Sequence, residues 1–194
     1  MFTVRFLNYT GDDILGVAEA EYGEDITSKA PTPEVITGKS FSGWNVPITH
    51  IVEDMTVRPT YEDITYTVIF KKYDGGNLSV QHIAHGHAAV APTPELIPGH
   101  TFTGWDKDFS NITSDLTVNP IYAAQVLTVR FLDKDREVVV SEQQVEYGKS
   151  ASPPVPEKYR RFVFLSWSGN YSYITEDSSF WPIYTVIWNP CLTS

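Results

Sequence analysis

Cysteine is all but missing. Cys191, near the end of the chain, is the single one, so no internal disulfide can form and the fold must rest on its apolar cores. Long apolar runs are missing too. None approaches the ~20 residues of a membrane span, so insertion into a bilayer as a helix is excluded. The chain moves from Met1 directly into Phe2-Thr3-Val4-Arg5-Phe6, which reads as a strand. No charged segment with an apolar core precedes it, and no wall-sorting or lipidation pattern follows residue 184. On these absences the expectation is a protein that does not enter the general secretion route unaided. Basic residues are scarce, with 14 Lys and Arg against 24 Asp and Glu and a net charge of −10. Such a surface repels phosphate backbones, so nucleic acid is an unsuitable partner.

Turn formers and aromatics are plentiful. Thirteen prolines and twelve glycines punctuate the chain, and eleven tyrosines, ten phenylalanines and five tryptophans favour strands over helices. These residues recur in a fixed order. Thr3-Val4-Arg5-Phe6 returns as Thr67-Val68-Ile69-Phe70 and as Thr128-Val129-Arg130-Phe131. Glu21-Tyr22-Gly23 returns as His85-Gly86 and as Glu146-Tyr147-Gly148. Ala30-Pro31-Thr32-Pro33 returns as Ala91-Pro92-Thr93-Pro94 and, more loosely, as Ser152-Pro153-Pro154-Val155-Pro156. Phe41-Ser42-Gly43-Trp44 matches Phe102-Thr103-Gly104-Trp105 and Phe164-Leu165-Ser166-Trp167. Asp54-Met55-Thr56-Val57-Arg58-Pro59 matches Asp115-Leu116-Thr117-Val118-Asn119-Pro120 and Asp177-Ser178-Ser179-Phe180-Trp181-Pro182. Trp44, Trp105 and Trp167 are spaced by 61 and 62 residues, and so are Tyr61, Tyr122 and Tyr184. Internal periodicity of this kind defines the architecture before any other signal.

The pattern predicts a mainly β fold built as three small tandem modules, an elongated and fairly stiff string. The expected boundaries are 1–62, 63–124 and 125–184, with residues 185–194 as a C-terminal tail strand. Each module reads as a strand, a polar hairpin turn, a second strand, a Pro-rich surface crossover, a Phe-x-Gly-Trp strand and a single closing strand. A short helical turn is expected near Glu34 and Glu95. The predicted core is Phe6, Phe41, Trp44 and Val57, then Phe70, Phe102, Trp105 and Val118, then Phe131, Phe164, Trp167 and Phe180. The modules carry −6, −3 and −1 in turn (4 basic against 10 acidic, 3 against 6, 7 against 8). The third also holds the one basic cluster, Lys158, Arg160 and Arg161.

The set Thr-Val-x-Phe, Tyr-Gly, Pro-rich crossover, Phe-x-Gly-Trp and Asp-Leu-Thr-Val-x-Pro-x-Tyr resembles the internalin B-repeat, also called the Listeria–Bacteroides repeat. The stretch from Phe102-Thr103-Gly104-Trp105-Asp106 to Asp115-Leu116-Thr117-Val118 matches best. The resemblance covers nearly the whole chain. It implies a β-grasp-like module found in bacterial surface proteins or phage virion proteins, acting there as spacer, adhesive element or protein contact. It supplies no catalytic residues. The third copy departs from the pattern at Ser166, at Ser178 and at Arg160-Arg161.

Chemistry-bearing clusters are few. His82, His85 and His87 have spacing compatible with a metal, but His85 occupies the place of Tyr22 and Tyr147, and no carboxylate recurs beside them. Carboxylate pairs such as Asp12 and Asp13, or Glu24 and Asp25, lie in turns without a pocket to perturb them. There is no nucleophile motif and no cofactor-binding motif, so the expectation is a non-enzyme without cofactor or metal. Sequons at Asn8, Asn77, Asn111 and Asn170 add nothing in a bacterial or phage setting. Alternation along the closing strand places Val57, Val118 and Phe180 inward and Trp181 outward. Trp181, with Tyr171 and Tyr173, is a candidate partner contact. Tyr184-Thr185-Val186-Ile187-Trp188 mimics Tyr66-Thr67-Val68-Ile69-Phe70, so Val186, Ile187 and Trp188 read as an orphan strand that must pair back onto the third copy or add to a partner's sheet edge. Three functions compete, and the first is the preferred reading. The first is an accessory phage virion protein on the particle surface, as head decoration or short fibre, touching capsid or tail proteins or the host surface, with homo-oligomers as an option. The second is a segment of a bacterial cell-surface adhesin. The third is a carbohydrate-binding accessory module.

Overall fold

The computed structural model of the chain describes residues 1–186. These residues are nearly all strand and turn, with a 3-10 turn at Thr27–Lys29 and no α-helix among them. The helical turn expected near Glu34 and Glu95 does not form. Proline at Pro31, Pro33, Pro92 and Pro94 holds those stretches extended instead. Packing divides the chain into two compact units, one of Met1–Thr93 with Lys107–Asn119, the other of Pro94–Asp106 with Pro120 and the residues after it.

One set of five strands occurs three times. The first set is β1 (Phe2–Leu7), β2 (Ile14–Ala20), β3 (Lys39–Trp44), β4 (Met55–Val57) and β5 (Pro59–Asp63). The second is β6 (Thr65–Lys71), β7 (Asn77–Ala84), β8 (His100–Trp105), β9 (Leu116–Val118) and β10 (Pro120–Ala124). The third is β11 (Val126–Leu132), β12 (Val139–Glu146), β13 (Phe162–Trp167), β14 (Ser178–Phe180) and β15 (Pro182–Val186). In each set the first strand lies between its hairpin partner, antiparallel, and the short fourth strand, parallel. The third and fifth strands form a separate antiparallel pair.

Period-two alternation explains the central strand. Val4 and Phe6 are fully buried with Val57, as are Val68 and Phe70 with Val118, and Val129 and Phe131; Phe180 beside them is nearly so. A carboxylate fastens each parallel pair at its end. Asp54 Oδ1 accepts the Thr3 N–H, Asp115 Oδ1 that of Thr67 and Asp177 Oδ1 that of Thr128, each at 2.8 Å. This is why aspartate opens the Asp-x-Thr-Val motif.

The single closing strand expected in each copy is two strands in different sheets. The chain leaves the three-stranded sheet at Arg58, Asn119 and Trp181, and the next residue is proline. Proline lacks a donor for the first ladder and disfavours helical geometry in the residue before it, so the break falls there. Each fifth strand is then pinned by its tyrosine. Tyr61 Oη donates to Glu34 O at 2.6 Å, Tyr122 Oη to Glu95 O at 2.7 Å and Tyr184 Oη to Glu157 O at 2.6 Å, tying the sheet to the Pro-rich leg.

The predicted core needs correction at one position. Phe41 is 42% exposed and packs on the rim against Trp44 and Tyr61. It stands on a sheet only two strands wide, which leaves its outer edge to water. Phe102, Phe164, Trp44 and Trp105 are half-buried, while Trp167 is buried. Isoleucines from the loops join the buried residues. Ile51, Ile112 and Ile174 are buried, and their carbonyls accept the N–H groups of Gly23, Gly86 and Gly148 at 2.7, 2.7 and 2.6 Å.

Successive sets are joined by one clamped residue. Within the first unit, Ile64 N–H donates to Gly38 O and Ile64 O accepts from His85 N–H, both at 2.9 Å. Within the second, Gln125 N–H donates to Gly99 O at 2.7 Å and Gln125 O accepts from Tyr147 N–H at 2.8 Å. Gly38 and Gly99 have φ of +75° and +69°. A Cβ on Gly38 would lie 2.9 Å from His85 Cβ, and one on Gly99 only 2.0 Å from Tyr147 Cγ. Glycine is required there both for the backbone and for the ring laid upon it.

Gly75, with φ +90° and open space around it, separates these two demands. Gly75→Ala is expected to cost about 1 kcal/mol from backbone strain, and Gly99→Ala about 3 kcal/mol or more, because the Tyr147 ring must also move. Tyr122→Phe should cost about 1 kcal/mol for the lost hydrogen bond. Urea unfolding midpoints of the three variants test this order.

Candidate functional site

The third strand set carries a groove of about 310 Å³. Three elements build it. The β11–β12 turn contributes Leu132, Asp133 and Lys134, with Val140 beyond it. The Pro-rich leg contributes Val155, Pro156, Glu157 and Tyr159. The floor is Trp167 from β13 with Pro182 and Tyr184 from β15.

Its polar groups are already engaged. Asp133 Oδ1 accepts the N–H groups of Glu137 and Val138 at 2.9 and 3.2 Å. Partial desolvation pushes the Asp133 carboxyl up, but the amides of Val138, Glu137 and Arg136 and the charge of Lys134 together outweigh it and hold the group below the usual carboxylate range. Lys134 Nζ pairs with Asp135 at 2.6 Å and lies 5.5 Å from the Tyr159 ring centre. Tyr159 Oη donates to Glu157 Oε2 at 2.8 Å, and its ring meets Tyr184 edge-on at 5.3 Å. The hydrogen bond to Glu157, then desolvation, then the Glu157 charge push the Tyr159 phenol up to about 12. The groove is therefore an aromatic and proline surface with no free acid, base or nucleophile on it. It can hold an apolar or extended segment, and it offers no proton-transfer pair.

The partner-contact residues read from the sequence separate in the structure. Trp181 is half-buried at the point where the chain changes sheets, and the Arg136 guanidinium covers its ring at 4.0 Å. Alternation restarts at a sheet change, so the outward phase read for Trp181 does not hold. Tyr171 is half-buried and packs on the core against Phe131 and Phe180. Tyr173 is 59% exposed and sits beside Gly148. Thr185 and Val186 are not the start of a further copy. They complete β15, opposite Val163 and Phe162. Ile187 and Trp188 lie outside the described residues. Lys158, Arg160 and Arg161 are exposed on the approach to β13.

The three histidines serve separate purposes. His82 is exposed on β7, His85 Nδ1 lies 3.3 Å from Tyr66 Oη, and His87 Nδ1 lies 3.1 Å from His85 O. Among the described residues no group of three or more His, Cys, Asp and Glu is placed to hold a metal. No helix among them is long and apolar enough to cross a membrane.

Two residues of the third set escape sequence reading. Tyr159 stands where the earlier copies have Ile36 and Ile97, as the shared hydrogen bonds from Lys39, His100 and Phe162 show. Arg136 is the one non-glycine of positive φ among the described residues, at 67°. Comparison of the copies position by position is the signal that exposes both.

Glu157→Ala removes the acceptor that holds the Tyr159 proton. In the intact chain Tyr159 is expected to ionise near 12, and in the variant closer to 10, read from phenolate absorbance. The folded value is the raised one, so the stability linked to this phenol is whole below pH 10 and is lost as pH rises through about 12. Arg136→Ala should cost about 0.5–1 kcal/mol through loss of the cover over Trp181 and shift its fluorescence to the red.

Residues 66–124, the second strand set, match the Listeria-Bacteroides repeat domain. The chain is also 27% identical over 187 residues to a "Putative membrane protein" of Evansella cellulosilytica, across 86% of this chain and 28% of the relative. It is 26% identical over 153 residues to a "Putative Gly-rich membrane protein" of the same organism, across 67% of this chain and 18% of that relative. The chain thus spans less than a third of either relative's length, and one stretch of it carries a Listeria-Bacteroides repeat domain.

Proposed function

We propose that the chain is a non-catalytic tandem-repeat segment of a bacterial cell-surface protein, serving as spacer and as protein-contact module. In this reading the strand sets on either side of residues 66–124 are further copies of the same repeat. The observation that carries it is the threefold recurrence of the same fastenings: an aspartate on the first-strand amide, a tyrosine on the Pro-rich leg and an isoleucine on the Tyr-Gly turn. Stability there lies in each repeat and in nearest-neighbour junctions, as in repeat proteins generally.

The two relatives are bacterial and named as membrane proteins. That favours a cell surface over a phage particle as the setting. The groove of the third set is the contact surface in this reading, because aromatic and proline walls suit an extended protein segment. A sugar platform fits less well, since Trp167 is only 7% exposed.

The test is placement. An epitope inserted at Gly75-Gly76, in an open hairpin turn, should stain intact cells of the source bacterium and be removed by added protease. Staining only after permeabilisation, or recovery of the epitope in purified phage particles, would overturn the reading.

A further inference from the structure

We infer that the ring of Tyr22 is a docking site for the glycine turn of a further repeat lying outside this chain. The inference rests on the tandem-repeat reading above and on two junctions inside the molecule. At each of them the residue equivalent to Tyr22 is seated. His85 lies over Gly38 and Tyr147 over Gly99, both half-buried, and the N–H of each donates to a linker carbonyl. Tyr22 has the same local frame: Gly23 follows it with φ +77°, as Gly86 and Gly148 follow the others at +77° and +78°. Gly23 N–H bonds Ile51 O just as its equivalents bond Ile112 O and Ile174 O. Yet the Tyr22 side chain is 75% exposed, held only edge-on to His50 at 6.2 Å. Its backbone N–H has no hydrogen-bond partner among the described residues. A preformed ring and an unused donor stand where the two internal junctions each show an occupant.

The occupant is specified by those junctions. It is a turn with a glycine at positive φ, followed by a linker carbonyl that takes the Tyr22 amide. A second copy of this chain does not supply one among its described residues. Gly38 and Gly99 are covered by His85 and Tyr147, and their place in the third set is held by Arg161, which has no positive φ. A Cβ at such a site would strike the ring. The seat must therefore come from repeat sequence beyond this chain, and the relatives, of which the chain covers 28% and 18%, have the length for it.

The experiment joins a copy of residues 63–125 directly ahead of Met1, which reproduces the spacing from Gln125 to Val126 at the second junction. Hydrogen exchange at the Tyr22 amide is compared with that in the chain itself. Docking should slow it at least about tenfold. It should also make Tyr22→Ser lower the urea midpoint in the extended chain while leaving the original chain unchanged. Gly99→Val in the added copy alone should abolish both effects. Unchanged exchange at Tyr22 would overturn the inference, and so would protection that survives the valine. Either failure leaves the surface-staining result untouched, so the two readings fail separately.

Discussion

The structure depends on one parallel strand pair, made three times. A strand of six or seven residues beside a three-residue partner has few ladder bonds, and on its own such a pair is weak. It holds because its inner face is fully apolar and because a carboxylate closes its end. Burying a phenylalanine such as Phe6, Phe70 or Phe131 is worth about 1.5–3 kcal/mol. The aspartate bond adds about 1 kcal/mol net, since at these exposed positions it replaces a bond to water. Both terms act on the same few residues, so neither can be lost without loosening the other. The rest of each set, from hairpin to Pro-rich leg, is laid against this pair.

Proline then divides the labour between sheets. The parallel pairing ends at the buried valine or phenylalanine, and two residues later, at Pro59, Pro120 and Pro182, the chain has swung to a second sheet. That swing lets three residues serve the core and the next five carry the tyrosine that fastens the leg. The residue at the swing reaches toward the hairpin turn. In the first set the Arg58 guanidinium lies over Gly11, and in the third Arg136 from the turn lies over Trp181. The cation and its surface have exchanged places, and the same gap is closed from the opposite side.

Much of this was legible in the sequence, and the limits are physical. Val4 and Phe6 announce themselves because side chains in a strand alternate. The repeat spacing announces the recurrence. The change of sheet does not, because Thr56-Val57-Arg58-Pro59-Thr60-Tyr61 reads in one dimension as a single strand, and only the pairing partner reveals two. Trp181 was assigned outward by carrying the alternation through that break. Thr185-Val186 share letters with Thr67-Val68, so the sequence leaves open whether they pair back onto the third copy or onto a partner; the length of β13 decides for the first. Ile51, Ile112 and Ile174 recur at the repeat spacing but carry no strand alternation that would mark them as core. They sit in loops, and only the approach of the Tyr-Gly turn makes them core.

The third set shows what the scaffold permits. Its aspartate, tyrosine and isoleucine fastenings are those of the first two, and its parallel pair buries Val129 and Phe131 in the same places. Within that pair Ser178 and Phe180 replace the methionine or leucine and the valine of the earlier copies. Other departures are Tyr159 for isoleucine on the leg, Arg136 at positive φ in the turn, Trp181 at the swing, and Arg161 where a junction would need glycine, and together Tyr159 and the turn shape the groove. This latitude follows from the kind of fastening used. Most of it runs through backbone groups and a few buried side chains, so the outer positions are left free to vary without a stability penalty. In the third set Arg161 takes the place of the glycine seat, and the groove opens beside Tyr159 on the same leg.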